Sequence, residues 1–108
     1  MISKSDFEKI DIRIGRIEDV EEVEGARKPI YKLLVDFGEE GKRTIAAGIK
    51  DRYKKEELIG IEAAFLFNIE PKNVAGVESQ GMVLAAEDEK EISILIPMRK
   101  VKPGARVF

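Results

Sequence analysis

Cysteine and histidine are both absent from the 108 residues of this chain. Without cysteine there can be no disulfide, no thiolate nucleophile and no zinc site built on cysteine. Without histidine the commonest general base and metal ligand is missing as well. The few serine and threonine residues lie in neither a phosphate-binding loop nor a nucleophile-elbow motif. We therefore predict that the chain is not an enzyme and holds no cofactor and no metal.

Long apolar runs are also missing from the sequence. None approaches the roughly 18 residues that a membrane-spanning helix needs. The first residues, Met1 to Ser5, contain no apolar core of the kind that a secretory signal has. With 44% hydrophobic and 37% charged residues, the composition is typical of a soluble globular protein. We expect one domain over residues 1–108, a cytoplasmic location and no membrane partner.

The charge is small overall but unevenly distributed. The formal net charge is −2, which argues against a protein that binds nucleic acid through a uniformly cationic surface. Residues 18–24 carry five acids and no base, whereas residues 92–108 carry four bases and no acid. Any single run of this kind is more often a solvated surface than a binding site. The segregation nevertheless permits a basic face on an acidic protein.

Alternation of apolar and polar residues predicts a chain made mostly of strands. Ile10, Ile12 and Ile14 alternate with charged residues, and the phase then breaks at Gly15, which suggests a bulge or bend. The predicted strands cover residues 10–20, 31–37, 43–47, 61–67, 82–87 and 92–96, with a helix of one or two turns at 53–59. This order is that of an OB-fold. The predicted class is therefore all-β: a five-stranded Greek-key barrel with a short helix between strands three and four and an extra C-terminal strand or tail.

Smaller signals refine this picture. Residues 1–9 are expected to form a leader with one helical turn from Ser5, with Phe7 packed inward. The segment Gly38–Gly41 predicts a tight turn in which glycine supplies positive φ. Gly60 suits the end of the short helix.

One long polar stretch stands out between two apolar runs. It covers residues 68–86 and reads N-I-E-P-K-N-V-A-G-V-E-S-Q-G-M-V-L-A-A. A loop of this length is either a connector or a binding site, and its own composition leaves both possible.

Motifs in this stretch resemble the signature of the tRNA-binding domain family. The matching residues are N-x-x-P-K at 68–72 and G-V-x-S-x-G-M-x-L-A-A at 76–86, and the strands at 7–17 and 33–45 are also similar. The family includes the C-terminal domain or β-chain of methionyl-tRNA synthetases, stand-alone tRNA-binding proteins and CsaA-type chaperones. The resemblance implies an OB-fold that recognises tRNA by shape. The segment 26–33 is closer to the A-R-K-P-x-x-K-L of CsaA-type proteins, so a chaperone that binds unfolded polypeptide is the alternative.

The resemblance also implies which residues contact RNA. In the signature loop, Lys72 would contact a phosphate, Asn68 and Ser79 would offer hydrogen bonds, and Met82 would lie against a sugar or base. The alternatives are that Asn68 caps a turn, Ser79 holds its own loop and Met82 fills the core. Because the first strands of an OB-fold form the groove and its rim, the remaining candidates are Arg13, Arg27, Lys28 and Lys32.

Two apolar features predict a homodimer. The fourth strand, 61–67, is apolar almost throughout, so it is expected to be buried on both faces or to form an interface. The tail ends in an apolar pair, Val107 and Phe108. The expected partners are therefore tRNA, a second copy of the chain, and either methionyl-tRNA synthetase or an unfolded polypeptide.

Overall fold

The computed structural model describes every residue of the chain, 1–108. Its elements in chain order are α1 (Lys4–Glu8), β1 (Ile12–Glu22), β2 (Tyr31–Asp36), β3 (Lys42–Ala47), α2 (Lys55–Leu58), β4 (Glu62–Leu66), β5 (Lys72–Val74), β6 (Val77–Ser79), β7 (Met82–Val83), β8 (Ala85–Glu87), β9 (Ile92–Ile94) and β10 (Arg106–Val107). One turn of 3-10 helix, Gly38–Glu40, joins β2 to β3. Both α-helices are too short to cross a membrane.

The main sheet curls into a barrel. Its strands are hydrogen-bonded in the order β3-β2-β1-β4-β7, every pair is antiparallel, and β10 adds to the start of β1. The two edges meet where the backbone N–H of Gln80 donates to the carbonyl of Thr44 on β3 at 2.9 Å. This connectivity is the Greek-key order of an OB-fold, and the prediction of an OB-like all-β fold is confirmed.

Gly15 lies inside β1 and is buried, and the register of β1 with β2 shifts further on, between Ile17 and Asp19. The sequence predicted a bulge or bend at Gly15; the irregularity in β1 begins two residues further along the strand. A Cβ at this position would lie 2.4 Å from Cγ1 of Val35 and 2.7 Å from Cε1 of Phe37. Glycine is needed here because two core side chains approach the backbone of β1 closely.

The core fills the barrel with aliphatic side chains around three phenylalanines. Phe37 contacts Phe65 and Phe67 edge to face, with ring centroids 5.5 Å and 5.0 Å apart, which is a favourable geometry for aromatic pairs. The fully buried large side chains are Ile17, Leu33, Val35, Phe37, Ile45, Leu58 and Phe65.

The apolar fourth strand is explained by contacts within the chain. Ala63, Ala64 and Phe65 are consecutive buried residues, so the strand is buried on both faces as predicted. The backbone of Ala64 accepts a hydrogen bond from Leu84 and donates one to Leu95, which brings the C-terminal part of the chain onto β4. A partner is therefore not needed to cover this strand.

The loop and the fifth strand differ from the sequence prediction. Residues 72–79 form the hairpin β5–β6 inside what the sequence presented as a loop. The predicted strand at 82–87 is split in two, because β7 pairs with β4 whereas β8 pairs with β9 in a separate hairpin.

Three smaller predictions from the sequence are confirmed: the turn after β2, the glycine after α2 and the N-terminal helical turn. The turn after β2 has positive φ at Gly38 and Gly41, and the segment after α2 has positive φ at Gly60. The helical turn near the N-terminus exists as well, although it begins one residue earlier than expected and is capped by Ser3.

Replacing Gly15 by alanine tests the close approach of the core to β1. We expect Gly15→Ala to lower the free energy of unfolding by about 1–3 kcal/mol, because Val35 and Phe37 must move to admit the methyl group. Urea denaturation measures the change. Gly48→Ala is the matched control, since a Cβ there meets nothing within 4 Å; equal effects of the two substitutions would contradict this account.

Candidate nucleic-acid interface

Two loops bound an open groove of about 490 Å³ on one side of the barrel. One is the β1–β2 loop, residues 23–30, and the other is the β5–β6 hairpin. We call this cavity the basic groove; its lining residues are Gly25, Ala26, Arg27, Lys28, Ile30, Lys72, Asn73, Val74 and Ala75. Sequence positions about 45 residues apart, Arg27 and Lys72, thus line one surface.

The hairpin that forms one wall turns tightly at its tip. Val74 pairs with Val77, and the two residues between them, Ala75 and Gly76, have φ of 52° and 87°. Positive φ at both central positions is the geometry of a type I′ turn, which suits the twist of a two-residue hairpin. The side-chain carboxamide oxygen of Asn73 accepts a hydrogen bond from the backbone N–H of Gly76 at 3.0 Å and supports this turn.

The three bases of the groove have no acidic partner. Arg27, Lys28 and Lys72 are exposed, and none has a carboxylate oxygen within 4.0 Å. Their charges are therefore available to an incoming anion. All three were predicted as RNA-contacting residues, and the fold brings them together.

Two acids of the run 18–24, which precedes the groove, form ion pairs with lysines of β3, of the loop after β3 and of α2. Glu18 contacts Lys42 at 2.9 Å, and Glu22 contacts Lys50 at 3.0 Å and Lys55 at 3.9 Å. The hydrogen bond from Lys50, reinforced by both lysine charges, lowers the pKa of Glu22. The pair therefore stabilises the fold above the ordinary carboxylate pKa, and this contribution is lost as the pH falls through the lowered value.

Lys32 lies on β2 beside the basic groove but is less available. Its ammonium group is 3.8 Å from Glu21, and Asp19 and Glu21 line the same shallow cavity as Lys32. Carboxylates on this part of the sheet repel phosphate. This part of the sheet is therefore less favourable for a phosphate than the loops of the basic groove are.

Arg13 lies away from the basic groove, and its contact with RNA stays a prediction. It lies at the opposite end of β1 from the basic groove and donates hydrogen bonds to Asp11 at 3.0 Å and to the carbonyl of Gly104 at 3.2 Å. A second carboxylate, that of Glu40, lies 3.3 Å away. The hydrogen bond to Asp11 raises the pKa of Arg13 against the opposing effect of burial. Its guanidinium group ties the C-terminal segment to the barrel.

Asn68 and Ser79 form hydrogen bonds within the chain, and their bonds to RNA stay predictions. The amide of Asn68 donates to the carbonyl of Lys9 at 2.7 Å and accepts from the N–H of Asp11 at 2.9 Å. Ser79 is only 6% exposed. Its hydroxyl accepts from the N–H of Ala46 at 3.0 Å and donates to the carbonyl of Gly81 at 2.9 Å. Both residues hold the ends of the signature loop.

Met82 is the remaining predicted contact. It lies on β7 opposite Leu66 and is 44% exposed. It does not line the basic groove, so its contact with RNA stays a prediction.

A family model described as "Putative tRNA binding domain" matches residues 12–106. This chain belongs to the tRNA-binding domain family. The match includes both loops of the basic groove and strands β1 to β9.

Curated relatives of this tRNA-binding domain are methionine–tRNA ligases. The protein from Pyrococcus furiosus is 46% identical over 106 residues, which are 98% of this chain and 14% of the relative. That from Methanoculleus marisnigri is 43% identical over 107 residues, 99% of this chain and 16% of the relative. The chain thus spans about one seventh of the length of these relatives.

Solved structures similar to this tRNA-binding domain include a protein related to methionyl-tRNA synthetase (MetRS) and a CsaA chaperone protein. A MetRS-related protein from Pyrococcus horikoshii has a TM-score of 0.91 and 37% identity, over 100% of this chain and 98% of that one. A CsaA chaperone protein from Picrophilus torridus has a TM-score of 0.93 and 38% identity, over the whole of both chains.

Two residues of this tRNA-binding domain were missed by the sequence reasoning. Asn73 lines the basic groove. The sequence Asn73-Val-Ala-Gly76, in which Ala75 and Gly76 lie between two valines, was a turn signal that could have revealed the hairpin. Arg43 packs against Phe67 below the hairpin, with its guanidinium carbon 3.5 Å from the ring centroid. Phe67 lies just after β4, 24 residues further along the chain, so no local sequence signal shows that contact.

Substitution of Ser79 tests whether its hydroxyl group stabilises the loop. We expect Ser79→Ala to lower the free energy of unfolding by about 1–3 kcal/mol, because the N–H of Ala46 and the carbonyl of Gly81 lose their shared partner. Thermal or urea denaturation measures it. Ser93→Ala, at an exposed position on β9, is the control. An unchanged stability for Ser79→Ala would show that the hydroxyl does not hold the loop.

Proposed function

We propose that this domain is a non-catalytic module that binds tRNA by its shape and its phosphate backbone. The observation that carries the proposal is the basic groove, where Arg27, Lys28 and Lys72 are exposed and free of carboxylates. Phosphate contacts add up across such a cluster and dominate the affinity of proteins for nucleic acid. Membership of the tRNA-binding domain family supports tRNA as the polyanion.

The aromatic residues support recognition of a folded RNA over recognition of single-stranded bases. Tyr31 and Phe37 are buried in the core, and the hydroxyl of Tyr53 bonds to β9. No aromatic side chain lines the basic groove. Proteins that grip single strands rely on stacking against exposed aromatic rings, whereas folded RNA is recognised through its backbone and shape.

In the cell, the module would act alone or as an accessory subunit of methionyl-tRNA synthetase. The methionine–tRNA ligases that resemble this chain contain the similar region as a small fraction of their length. A tethered or associated tRNA-binding module raises the local concentration of tRNA at its enzyme. The chain would thus supply affinity and no chemistry.

We further propose that two copies of the chain associate through the segment before β10. Leu95, Ile96, Met98 and Val101 are exposed there, and Met98 is 93% exposed. So many apolar side chains in seven residues form a surface that a second copy would cover. A dimer would present two basic grooves to one tRNA, which compensates for the small number of bases in each.

A CsaA-like chaperone is the second candidate. Solved structures of two proteins named as CsaA chaperones, from Picrophilus torridus and Bacillus anthracis, are 38% and 34% identical to this chain. The same exposed apolar segment, residues 95–101, offers a surface for an unfolded polypeptide.

Reversal of charge in the basic groove tests the proposed function. We expect the triple variant Arg27→Glu, Lys28→Glu, Lys72→Glu to lose tRNA binding in a filter-binding titration while it keeps its thermal unfolding temperature. Binding by the native chain should also weaken steeply with salt, with a slope of about 0.7–0.9 per phosphate contact.

The matched control carries the same change of charge elsewhere. Lys4→Glu, Lys90→Glu and Lys102→Glu alter three exposed lysines that also lack a carboxylate partner. This variant should bind tRNA far better than the groove variant. Equal losses would mean that only net charge matters. If the native chain instead bound an unfolded polypeptide in a salt-insensitive manner and no tRNA, the chaperone function would replace the tRNA proposal.

Substitution of Met98 tests the association of two copies. Because Met98 has almost no contact within its own chain, Met98→Glu should convert a dimer into a monomer in light scattering without lowering the stability of the fold. Phe108→Glu is the comparison, since Phe108 is fully exposed beside a separate apolar groove near α1. Dissociation by Phe108→Glu alone would place the interface at the chain ends.

A further inference from the structure

Arg43 lies at the root of the β5–β6 hairpin. The hairpin leaves the barrel after Phe67 and returns to it at Gln80. The Nη1 atom of Arg43, on β3, donates to the carbonyl of Phe67 at 2.6 Å and to the carbonyl of Gln80 at 3.1 Å. One guanidinium group therefore joins the two ends of the segment that carries Lys72.

The surroundings of Arg43 differ from those of an ordinary surface arginine. It is half-buried, it has no carboxylate within 4.0 Å, and its guanidinium carbon is 3.5 Å from the centroid of the Phe67 ring. Two carbonyls and an aromatic face replace the water that a cation loses on burial. A lysine could not stack on the ring as the planar guanidinium group does, because its ammonium group is a compact point charge.

The hairpin needs such an anchor because its own contacts are few. Its two strands have three residues each, and an isolated two-stranded hairpin is marginally stable in water. Beyond the bonds of Arg43, the barrel holds its returning strand through Ser79 and Gln80. The outgoing strand begins at Lys72 and has no comparable side-chain bond to the barrel. The side-chain bonds that precede it are that of Arg43 to the carbonyl of Phe67 and that of Asn68 to the carbonyl of Lys9 in the N-terminal leader.

We propose that Arg43 is a positioning residue for tRNA binding, which holds the root of the hairpin so that Lys72 stays opposite Arg27 and Lys28. It would act through Lys72 and would not itself contact RNA. This inference rests on the proposed function of the basic groove. It deepens that function by naming a residue that positions the hairpin wall of the groove.

A double-mutant cycle with Lys72 tests the inference. In the native background, Arg43→Met should weaken tRNA binding by no more than Lys72→Ala does, because it acts only through the contact of Lys72. In a Lys72→Ala background the same substitution should have little further effect, because the contact that it disturbs is already absent. Losses that simply multiply in the double variant would overturn the proposal.

The conservative variant distinguishes positioning from direct contact. Lysine binds phosphate well as a point charge, so Arg43→Lys should keep the affinity if Arg43 touches RNA. If Arg43 positions the hairpin through its stacking on Phe67 as well as through its hydrogen bonds, Arg43→Lys should lose part of the affinity that Arg43→Met loses. Retention of native affinity by Arg43→Lys would overturn the proposal.

Hydrogen exchange on the free protein supplies a measurement that needs no RNA. The backbone amides of residues 72–79 should exchange faster in Arg43→Lys and Arg43→Met, whereas the amides that join β1 to β2 should keep their protection. Unchanged exchange in the hairpin would overturn the inference. If the native chain bound no tRNA, the proposed function would fail, and faster exchange would still show that Arg43 holds the hairpin.

Discussion

The closure of the barrel between β3 and the residues before β7 is the contact on which the candidate site depends. Gln80 exchanges backbone and side-chain hydrogen bonds with Thr44, and Ser79 receives the N–H of Ala46. An open edge of β3 would leave these backbone groups unpaired. The same bonds fasten one end of the β5–β6 hairpin, so the closure that completes the fold also builds a wall of the basic groove.

The distribution of ion pairs explains how an acidic chain can present a basic site. Lys42 on β3, Lys50 in the loop after β3 and Lys55 on α2 lie beside the acidic run of β1 and form ion pairs with Glu18 and Glu22. Exposed pairs of this kind contribute little to stability. The ion pairs instead change the electrostatic potential at the surface. A carboxylate that is paired with a lysine repels a nearby phosphate less than an unpaired carboxylate does.

Much of the fold was predictable because its signals are local. Alternation of isoleucines identified β1, and the glycines at 38 and 41 identified the turn after β2. The role of Gly15 was not predictable in this way, since the side chains that require a glycine come from β2 and the turn that follows it. The hairpin β5–β6 was also missed, because three-residue strands are too short to show a period.

The candidate site was likewise predictable only where its features depend on the local sequence. The types and exposure of Arg27, Lys28 and Lys72 follow from polar loops in the sequence, and the resemblance to a family pointed to both loops. Asn68, Ser79 and Arg13 looked equally suitable, yet their partners lie 57, 33 and 91 residues away in the chain. Composition and periodicity by themselves determined an all-β chain with segregated charge and without the residues of common catalytic sites. Only the tertiary structure decided which polar groups are free, because a hydrogen-bonding group is available to a ligand only when the folded chain has left it unpaired.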